Sequence, residues 1–174
     1  MYKFIIDSDA LIKLTKSGIL EDICHHYSCI ITNEVKSECV DEGKKRLYKD
    51  ALRIEDFINK KLLRILDLKK TRKIKENLGK GETSTLNLYF QEKNSVIVTD
   101  DSAFIKYLEE NDIRFFVPAD LILLMKLSNK IDKKTALKYL EKIKDVIREE
   151  VYNDIKKDIK EVQNDNSISY ETER

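Results

Sequence analysis

Acidic residues follow two apolar runs that lie far apart in the chain. Asp7 follows Phe4–Ile6, and Asp100 and Asp101 follow Val96–Thr99. Such runs are typical of short buried strands in a parallel sheet, and the working site of such a sheet lies beyond the carboxyl ends of its strands. We therefore expect these carboxylates to meet at one edge of a sheet. Since like charges repel at close range, this arrangement predicts a divalent cation held by oxygen ligands.

The elements that position these acids can be predicted along the chain. Strands are predicted at 3–7, 29–32, 62–68, 95–99 and 113–117. Helices alternate with them, and only helices follow Pro118, which predicts an α/β fold: an α/β/α sandwich with a central parallel sheet and a C-terminal helical extension. The expected divisions are a core at 1–118, a helical extension packed on that core at 119–162 and a flexible tail at 163–174.

The composition favours one globular domain rich in helix. The chain has 174 residues, of which 41% are hydrophobic, with four glycines and one proline. Helical spacing predicts a helix over about 46–60, with Leu47 on its buried face, and another over about 132–148. The three cysteines are too few for a disulfide framework, and no run reaches the ~18–20 apolar residues of a membrane span. We expect neither a leader nor a membrane segment, so the predicted compartment is the cytoplasm.

Charge is unevenly distributed although the net charge is only +1. Residues 41–80 hold 14 Lys and Arg against 7 Asp and Glu, whereas residues 81–125 hold 3 against 8. This asymmetry indicates a polyanionic partner held near an acidic, cation-binding site. The structural alternative is a solvated helix surface.

A basic segment lies within the first of these ranges. Its cations are Lys69, Lys70, Arg72, Lys73 and Lys75. We expect these side chains to contact the phosphates of a nucleic acid. Tyr89, Phe90 and Tyr107 are candidates for stacking on bases, although helical spacing favours a core position for Phe90.

Four short motifs resemble those of the PIN-domain family of metal-dependent nucleases. Asp7–Ile12 is similar to the family's opening motif, an Asp after a strand that leads into a helix. Thr32–Glu38 resembles its second motif and points to Glu38. Gly81–Glu82 resembles its Gly-Glu helix start, and Thr99–Phe104 resembles its closing Thr-x-Asp-x-x-Phe motif. The motifs follow the family's order along most of the predicted core.

The resemblance implies a PIN-like fold and an endoribonuclease that uses Mg²⁺ or Mn²⁺ to hydrolyse single-stranded RNA. The implied catalytic residues and metal ligands are Asp7, Glu38, Glu82 and Asp101, with Asp100 as a further ligand. Such a metal would lower the pKa of a bound water, and the resulting hydroxide would attack a phosphodiester. Many family members are toxins restrained by an antitoxin protein, and many pair as homodimers, so the resemblance also implies these two partners.

One position departs from the family pattern. Many members carry a second acid two residues after the Gly-Glu pair, and here that position is Ser84. Glu82 can replace this acid from the first helical turn, where the helix dipole favours a carboxylate. Otherwise metal binding is weak, and the chain is a catalytically weak module that binds RNA or protein.

Two other interpretations of the acids stay open. Asp7 and Asp9 resemble the Asp-x-Asp motif of haloacid-dehalogenase-like phosphatases, in which Asp7 would be a covalent nucleophile and Asp9 the acid/base. Each acid can instead have a structural role, since Asp is a preferred N-cap residue and Glu82 is an ordinary first-turn acid. Four acids in the family's order favour the metal site over separate caps.

Overall fold

Within the part of the chain that the structure describes, five parallel strands form one sheet. The structure is a computed structural model that describes residues 3–72, 74 and 78–161. The predicted tail at 163–174 and the predicted phosphate contacts Lys73 and Lys75 lie outside these residues. The strands are β1 (Lys3–Ile6), β2 (Ser28–Ile31), β3 (Leu63–Ile65), β4 (Ser95–Val98) and β5 (Phe115–Phe116). Their order is β3-β2-β1-β4-β5, so β1 lies at the centre.

Helices cover both faces of this sheet. They are α1 (Ser8–Ser17), α2 (Leu20–His26), α3 (Asn33–Lys36), α4 (Gly43–Lys45), α5 (Lys49–Asn59), α6 (Lys80–Gln91), α7 (Ser102–Glu110), α8 (Pro118–Leu127), α9 (Lys133–Ile143) and α10 (Glu149–Glu161). A π-helical segment, Ser37–Glu42, joins α3 to α4, and a 3₁₀ turn, Lys144–Val146, follows α9. The predicted α/β/α sandwich with a central parallel sheet is confirmed.

Helices cover both faces of the sheet, and successive side chains of a strand point to opposite faces. The side chains of the central strand are therefore buried on both sides. Phe4 and Ile6 of β1 pack into a large cluster with α1, α2, α5 and the C-terminal helices. Ile5 points to the opposite face, where it packs with Ile30 and with Leu88 of α6. A continuous apolar run, such as the sequence shows, is what a strand covered on both faces requires.

The strand register places the acid-bearing segments side by side. Ile6 of β1 is paired with Val98 of β4, and the Asp7 N–H donates to the Val98 carbonyl (3.0 Å). The residues that follow these strands, Asp7 and Thr99, therefore leave the sheet at the same edge. As predicted, the carboxyl ends of β1 and β4 bring two distant parts of the sequence together.

Some element boundaries differ from those predicted. The helix expected over about 46–60 is α5 alone, because Leu47 lies in a turn with φ 60° and is 89% exposed. The helix expected over about 132–148 ends at Ile143, where the 3₁₀ turn begins. Strand β3 is also shorter than predicted, since only Leu63–Ile65 pair with β2. The spacing of apolar residues does not reveal such turns, because the residues on either side of each turn keep the helical periodicity.

The C-terminal helices pack on the same core as the sheet. Leu121 of α8, Leu140 of α9 and Ile159 of α10 are buried in the cluster that contains Phe4. Each fully buried large apolar side chain stabilises this packing by roughly 1.5–3 kcal/mol. None of the described helices is both long enough and apolar enough to cross a membrane.

Candidate functional site

Asp7 is the residue at which β1 ends and α1 begins. It is only 3% exposed, yet both of its carboxylate oxygens accept hydrogen bonds. Oδ1 accepts from the Ala10 N–H (2.8 Å), which is the N-cap bond of α1, and Oδ2 accepts from the Thr99 hydroxyl. Asp7 therefore has the cap role that its residue type allows and, in addition, a link to the neighbouring strand.

Thr99 joins the two predicted acids Asp7 and Asp101. Its hydroxyl donates to Asp7 and accepts from the Asp101 N–H (3.2 Å). Asp101 is the N-cap of α7, and its Oδ1 accepts from the N–H groups of Ala103 (2.9 Å) and Phe104 (2.8 Å). Both cap bonds are made to Oδ1, so Oδ2 of Asp101 takes no part in the cap. The N-termini of α1 and α7, with their partial positive charge, thus meet at these two carboxylates.

The negative charge of Asp7 is unfavourable in this setting. The pKa of Asp7 is raised from 3.8 to about 7, chiefly by burial and to a smaller extent by the carboxylates of Asp9 and Asp101. The hydrogen bonds from Thr99 and Ala10 lower this pKa without offsetting the burial. A cation beside Asp7 would favour its charged form, because an opposite charge lowers the pKa of a carboxyl group.

Glu38 approaches the same region from the π-helical segment. Its carboxylate accepts a hydrogen bond from the hydroxyl of Ser8, the residue after Asp7. It also lies against Gly81 of α6, so closely that a Cβ atom on this glycine would be 2.6 Å from Glu38 Oε2. A side chain at residue 81 would therefore displace the carboxylate. We call Asp7, Glu38 and Asp101 the acidic edge.

The other predicted positions at the start of α6 have partners within the fold. Glu82 accepts from the Gly79 N–H (2.6 Å), so its carboxylate reaches back to the N-cap residue of its own helix, as the N3 acid of a capping box does. Ser84 is buried, and its hydroxyl is hydrogen-bonded to Thr32 Oγ1 (2.7 Å) and donates to the Gly81 carbonyl (2.8 Å). The structure thus brings Ser84 to the end of β2, where it contributes a hydroxyl in place of a charge.

Asp100 differs from its neighbour Asp101 because it has a cationic partner. Lys13 Nζ lies 2.7 Å from the Asp100 carboxylate and 2.6 Å from that of Asp9. Burial raises the pKa of Asp100 and lowers that of Lys13, but the two acids outweigh this burial and raise the pKa of Lys13, which stays charged. Sequence reasoning did not identify Lys13, although a lysine four residues after an aspartate on one helix is a visible signal.

The acidic edge offers the oxygen ligands of a hard-cation site, but its side chains alone do not complete a coordination shell. Carboxylate oxygens are the ligands that Mg²⁺ and Mn²⁺ prefer. In the described ranges, no group of three or more His, Cys, Asp or Glu side chains is placed to hold a metal ion. A cation at this edge would therefore have few ligands from these carboxylates and would keep several waters, as Mg²⁺ commonly does. The raised pKa of Asp7 also fits a site that needs positive charge.

The described part of the basic segment lies along α6. Three of its predicted cations are exposed, namely Lys69, Lys70 and Arg72. They line a cavity of about 250 Å³ together with Phe90, which is 41% exposed, so the predicted core position of Phe90 is wrong. The reason is that Phe90 lies on the side of α6 that faces the basic segment, whereas Leu88 lies on the side that faces the sheet. Tyr89 and Tyr107 pack against a buried apolar cluster instead of this cavity.

The chain is similar to PIN-domain proteins over its whole described length. A family model described as the PIN domain matches residues 3–161. A solved structure of a PilT N-terminus domain protein from the hyperthermophilic archaeon Sulfolobus solfataricus P2 is similar, with 16% identity and a TM-score of 0.49 over 70% of this chain and 90% of that chain. No curated protein matches the chain significantly. Because the family match includes every strand and the acidic edge, the chain belongs to the PIN-domain family, whose fold is generally that of a nuclease.

Proposed function

We propose that the protein is a Mg²⁺- or Mn²⁺-dependent endoribonuclease that hydrolyses phosphodiester bonds in single-stranded RNA. The observation that carries this proposal is the pair of carboxylates, Asp7 and Asp101, that Thr99 joins at the carboxyl edge of the sheet. Membership of the PIN-domain family supports a nuclease. The exposed cations beside α6 support a polyanionic substrate, because lysine and arginine contacts to phosphates supply most non-specific affinity for nucleic acids.

In this proposal Asp7 and Asp101 hold the metal. Glu38, which accepts a hydrogen bond from the Ser8 hydroxyl, supplies a third carboxylate. A bound Mg²⁺ or Mn²⁺ would lower the pKa of a coordinated water and so supply hydroxide near neutral pH. Thr99 orients Asp7 by donating to Oδ2, and the Ser8 hydroxyl orients Glu38 in the same way. Hydrogen bonds of this kind fix the direction of ligand side chains and tune their affinity for metal.

Glu82 and Asp100 have supporting roles in the proposed site. The Glu82 carboxylate holds the Gly79 N–H and so fixes the start of α6, where Gly81 lies under Glu38. Asp100 is paired with Lys13, which offsets its charge. We therefore expect both acids to position the metal ligands and not to bind the metal directly.

A catalytically weak PIN module that binds RNA or protein is the second candidate, and Ser84 favours it. Ser84 supplies a neutral hydroxyl that is already bonded to Thr32, at the position where many family members carry an acid. The phosphatase interpretation is not retained, because the chain belongs to the PIN-domain family and Asp9 is paired with Lys13. An antitoxin partner and a homodimer stay predictions.

An RNA cleavage assay tests the proposed function. Purified protein is incubated with end-labelled single-stranded RNA in Mg²⁺, Mn²⁺ or EDTA, beside the variants Asp7→Asn and Asp101→Asn. We expect cleavage that requires metal and that each substitution lowers by about 100-fold or more, because each removes a charged ligand. Cleavage that persists in EDTA, or in both variants, would contradict the proposal.

Asp112→Asn is the matched control for these substitutions. Asp112 is exposed and precedes β5, so it lies at the opposite edge of the sheet. Its φ of 53° is one that asparagine tolerates well. This variant should cleave RNA at the wild-type rate. Binding of RNA by the wild type without cleavage in either metal would favour the weak module.

A further inference from the structure

Two carboxamide side chains of α6 hold the basic segment against the helix. Asn87, which is buried, accepts from the Arg72 N–H (2.6 Å) and donates to the Arg72 carbonyl (3.5 Å). Gln91, one turn later, accepts from the Lys69 N–H (2.8 Å) and donates to the Asp67 carbonyl (3.2 Å). The backbone between Asp67 and Arg72 is therefore fixed at both of its ends. We call this stretch the strap.

The strap and the last turn of α6 together form a surface that is both cationic and aromatic. The Arg72 guanidinium lies over the Phe90 ring, with its Cζ 4.7 Å from the ring centroid. A guanidinium in this position is attracted to the face of the ring, so each side chain helps to hold the other in place. Lys69 and Lys70 line the same cavity and add positive charge beside the stacked pair. We call the Arg72–Phe90 pair the platform.

The first residue of the strap is linked to the segment that follows β2, the strand next to β1. Asp67 accepts from the Asn33 side chain (2.6 Å), and Asn33 directly follows Thr32, whose hydroxyl is bonded to Ser84. From Ser84 to Phe90 the axis of α6 rises by about 9 Å. Because Gly81 at the start of α6 lies against Glu38, a single strand that enters the acidic edge can continue along α6 to the platform.

We propose that the strap and the last turn of α6 form a subsite for one nucleotide of single-stranded RNA. The base stacks on the platform, and Lys69 and Lys70 contact the adjoining phosphates. An acidic peptide would use the cations alone, whereas a base also uses the flat ring, so the platform favours RNA. This inference rests on the proposed function and gives the RNA a second contact, away from the bond that is cleaved.

Binding of a short single-stranded RNA separates the platform from simple charge attraction. A fluorescein-labelled RNA of alternating cytidine and adenosine is titrated with protein in EDTA, and the Kd is measured by fluorescence anisotropy at several salt concentrations. The test variants are Phe90→Ala, Arg72→Ala and Arg72→Lys. Leu52→Ala and Lys134→Ala are matched controls, because they remove an exposed apolar side chain and an exposed cation from other helices.

The platform predicts a defined order of effects on the Kd. Phe90→Ala should raise the Kd at least about fivefold, which is the size of effect expected when a base loses its aromatic stacking partner. Arg72→Ala should raise the Kd at least as much, and Arg72→Lys should give an intermediate Kd because it keeps the charge. Lys69→Ala should reduce the slope of log Kd against log salt by about 0.7, as one lost phosphate contact would. Both controls should bind like the wild type.

Two results would overturn the subsite. One is a wild-type Kd in both Phe90→Ala and Arg72→Ala. The other is a poly-glutamate peptide that binds the wild type as tightly as the RNA does, since that would show a purely electrostatic site. Phe90 and Arg72 are exposed, so the variants should unfold at the wild-type temperature. If Phe90→Ala does not, Phe90→Leu removes the ring and keeps the apolar volume.

Cleavage assays on the same variants distinguish failure of the subsite from failure of the proposed function. If the wild type cleaves RNA, and Phe90→Ala binds and cleaves it equally well, the subsite is wrong and the nuclease stands. If the wild type binds RNA through Phe90 but cleaves none in Mg²⁺ or Mn²⁺, the subsite stands and the nuclease is wrong.

Discussion

Two groups of acids lie at the carboxyl edge of the sheet, and they are stabilised in opposite ways. Asp7 and Asp101 are held by hydroxyl and N–H donors and, within the described part of the chain, form no salt bridge. Asp9 and Asp100 share the cation of Lys13, whose Nζ lies within 2.7 Å of each. The first group therefore lacks the counter-charge that the second group has.

We infer from this difference which acids of this edge are structural and which are functional. A carboxylate beside a lysine has its charge offset within the fold, whereas a buried carboxylate held only by dipoles destabilises the fold when it ionises. Such unfavourable charges are concentrated at functional sites, where a ligand supplies the opposite charge. We therefore propose the metal at Asp7 and Asp101 and assign Asp9 and Asp100 to Lys13.

Asp7→Asn should stabilise the metal-free protein above about pH 7, which is the largest stability effect we expect. The folded protein keeps the Asp7 proton up to a pKa of about 7, whereas the ordinary value is 3.8. The stability that this proton contributes is complete below about pH 4, falls as the pH rises and is lost above about pH 7. The range corresponds to about 4 kcal/mol, so urea unfolding in EDTA at about pH 8 should show a gain of roughly 2–4 kcal/mol.

Two other Asp→Asn variants complete this measurement. Asp100→Asn should change the free energy of unfolding less than Asp7→Asn does, because Lys13 already offsets the Asp100 charge. Asp112→Asn should leave it unchanged, since Asp112 is exposed. If Asp7→Asn is no more stable than the wild type at about pH 8, the ionised Asp7 side chain does not destabilise the fold as we propose.

Lys13→Met should lower the free energy of unfolding by about 2 kcal/mol. Methionine keeps the apolar length of the side chain but leaves Asp9 and Asp100 without their cation. The side chains of Lys13 and Asp100 are 15% and 6% exposed, so water screens the loss only in part. Lys16→Met is the control, because Lys16 is exposed in the last turn of the same helix. Equal unfolding free energies for the two variants would show that the ion pair does not matter.

Ser84→Asp should make the acidic edge more dependent on metal. It places a charge at a buried position beside Thr32, so the metal-free protein should lose about 1–2 kcal/mol. Mn²⁺ should recover this loss if the new carboxylate joins the site, since a ligand that binds only the folded state stabilises it. Thermal melts with and without Mn²⁺ measure both effects, with Ser84→Asn as the uncharged control. A Mn²⁺-induced rise no larger than that of the wild type would place Ser84 outside the metal site.

Glu82→Gln should have the smallest effect of the series. Glutamine can still accept from the Gly79 N–H, so this hydrogen bond at the start of α6 is kept. We expect the free energy of unfolding to change by less than about 0.5 kcal/mol, and the cleavage rate by less than about threefold. Glu82→Ala, which removes the acceptor, should cost about 0.5–1 kcal/mol. A loss of cleavage in Glu82→Gln as large as in Asp7→Asn would make Glu82 a metal ligand.

The sheet and its acidic edge could be predicted because both depend on local patterns. The apolar runs before Asp7 and Asp100 are those of doubly covered strands, and parallel strands place their carboxyl ends together. The N-cap roles that the residue type of Asp7 and Asp101 allows are observed at the starts of α1 and α7. The order of the strands then brings the motifs to one edge.

The partners of these residues could not be predicted in the same way, because they depend on how the elements pack. Lys13 has a local partner in Asp9, and nothing in the periodicity shows that it also reaches Asp100, 87 residues away. In the sequence, Asn87 and Gln91 are ordinary polar positions of a helix. Only the fold shows that they bind the backbone of the strap. The exposure of Phe90 depends on the same contact.

Calorimetric titration with Mn²⁺ tests most directly the central claim that Asp7 and Asp101 form the metal site. It is run at about pH 8, where Asp7 is ionised in the metal-free protein. We predict that Asp100→Asn and Asp112→Asn bind Mn²⁺ within about threefold of the wild-type Kd, and that Asp7→Asn and Asp101→Asn bind it about 100-fold more weakly or not at all. Unchanged affinity in both Asp7→Asn and Asp101→Asn, or loss of binding in Asp100→Asn alone, would contradict the claim.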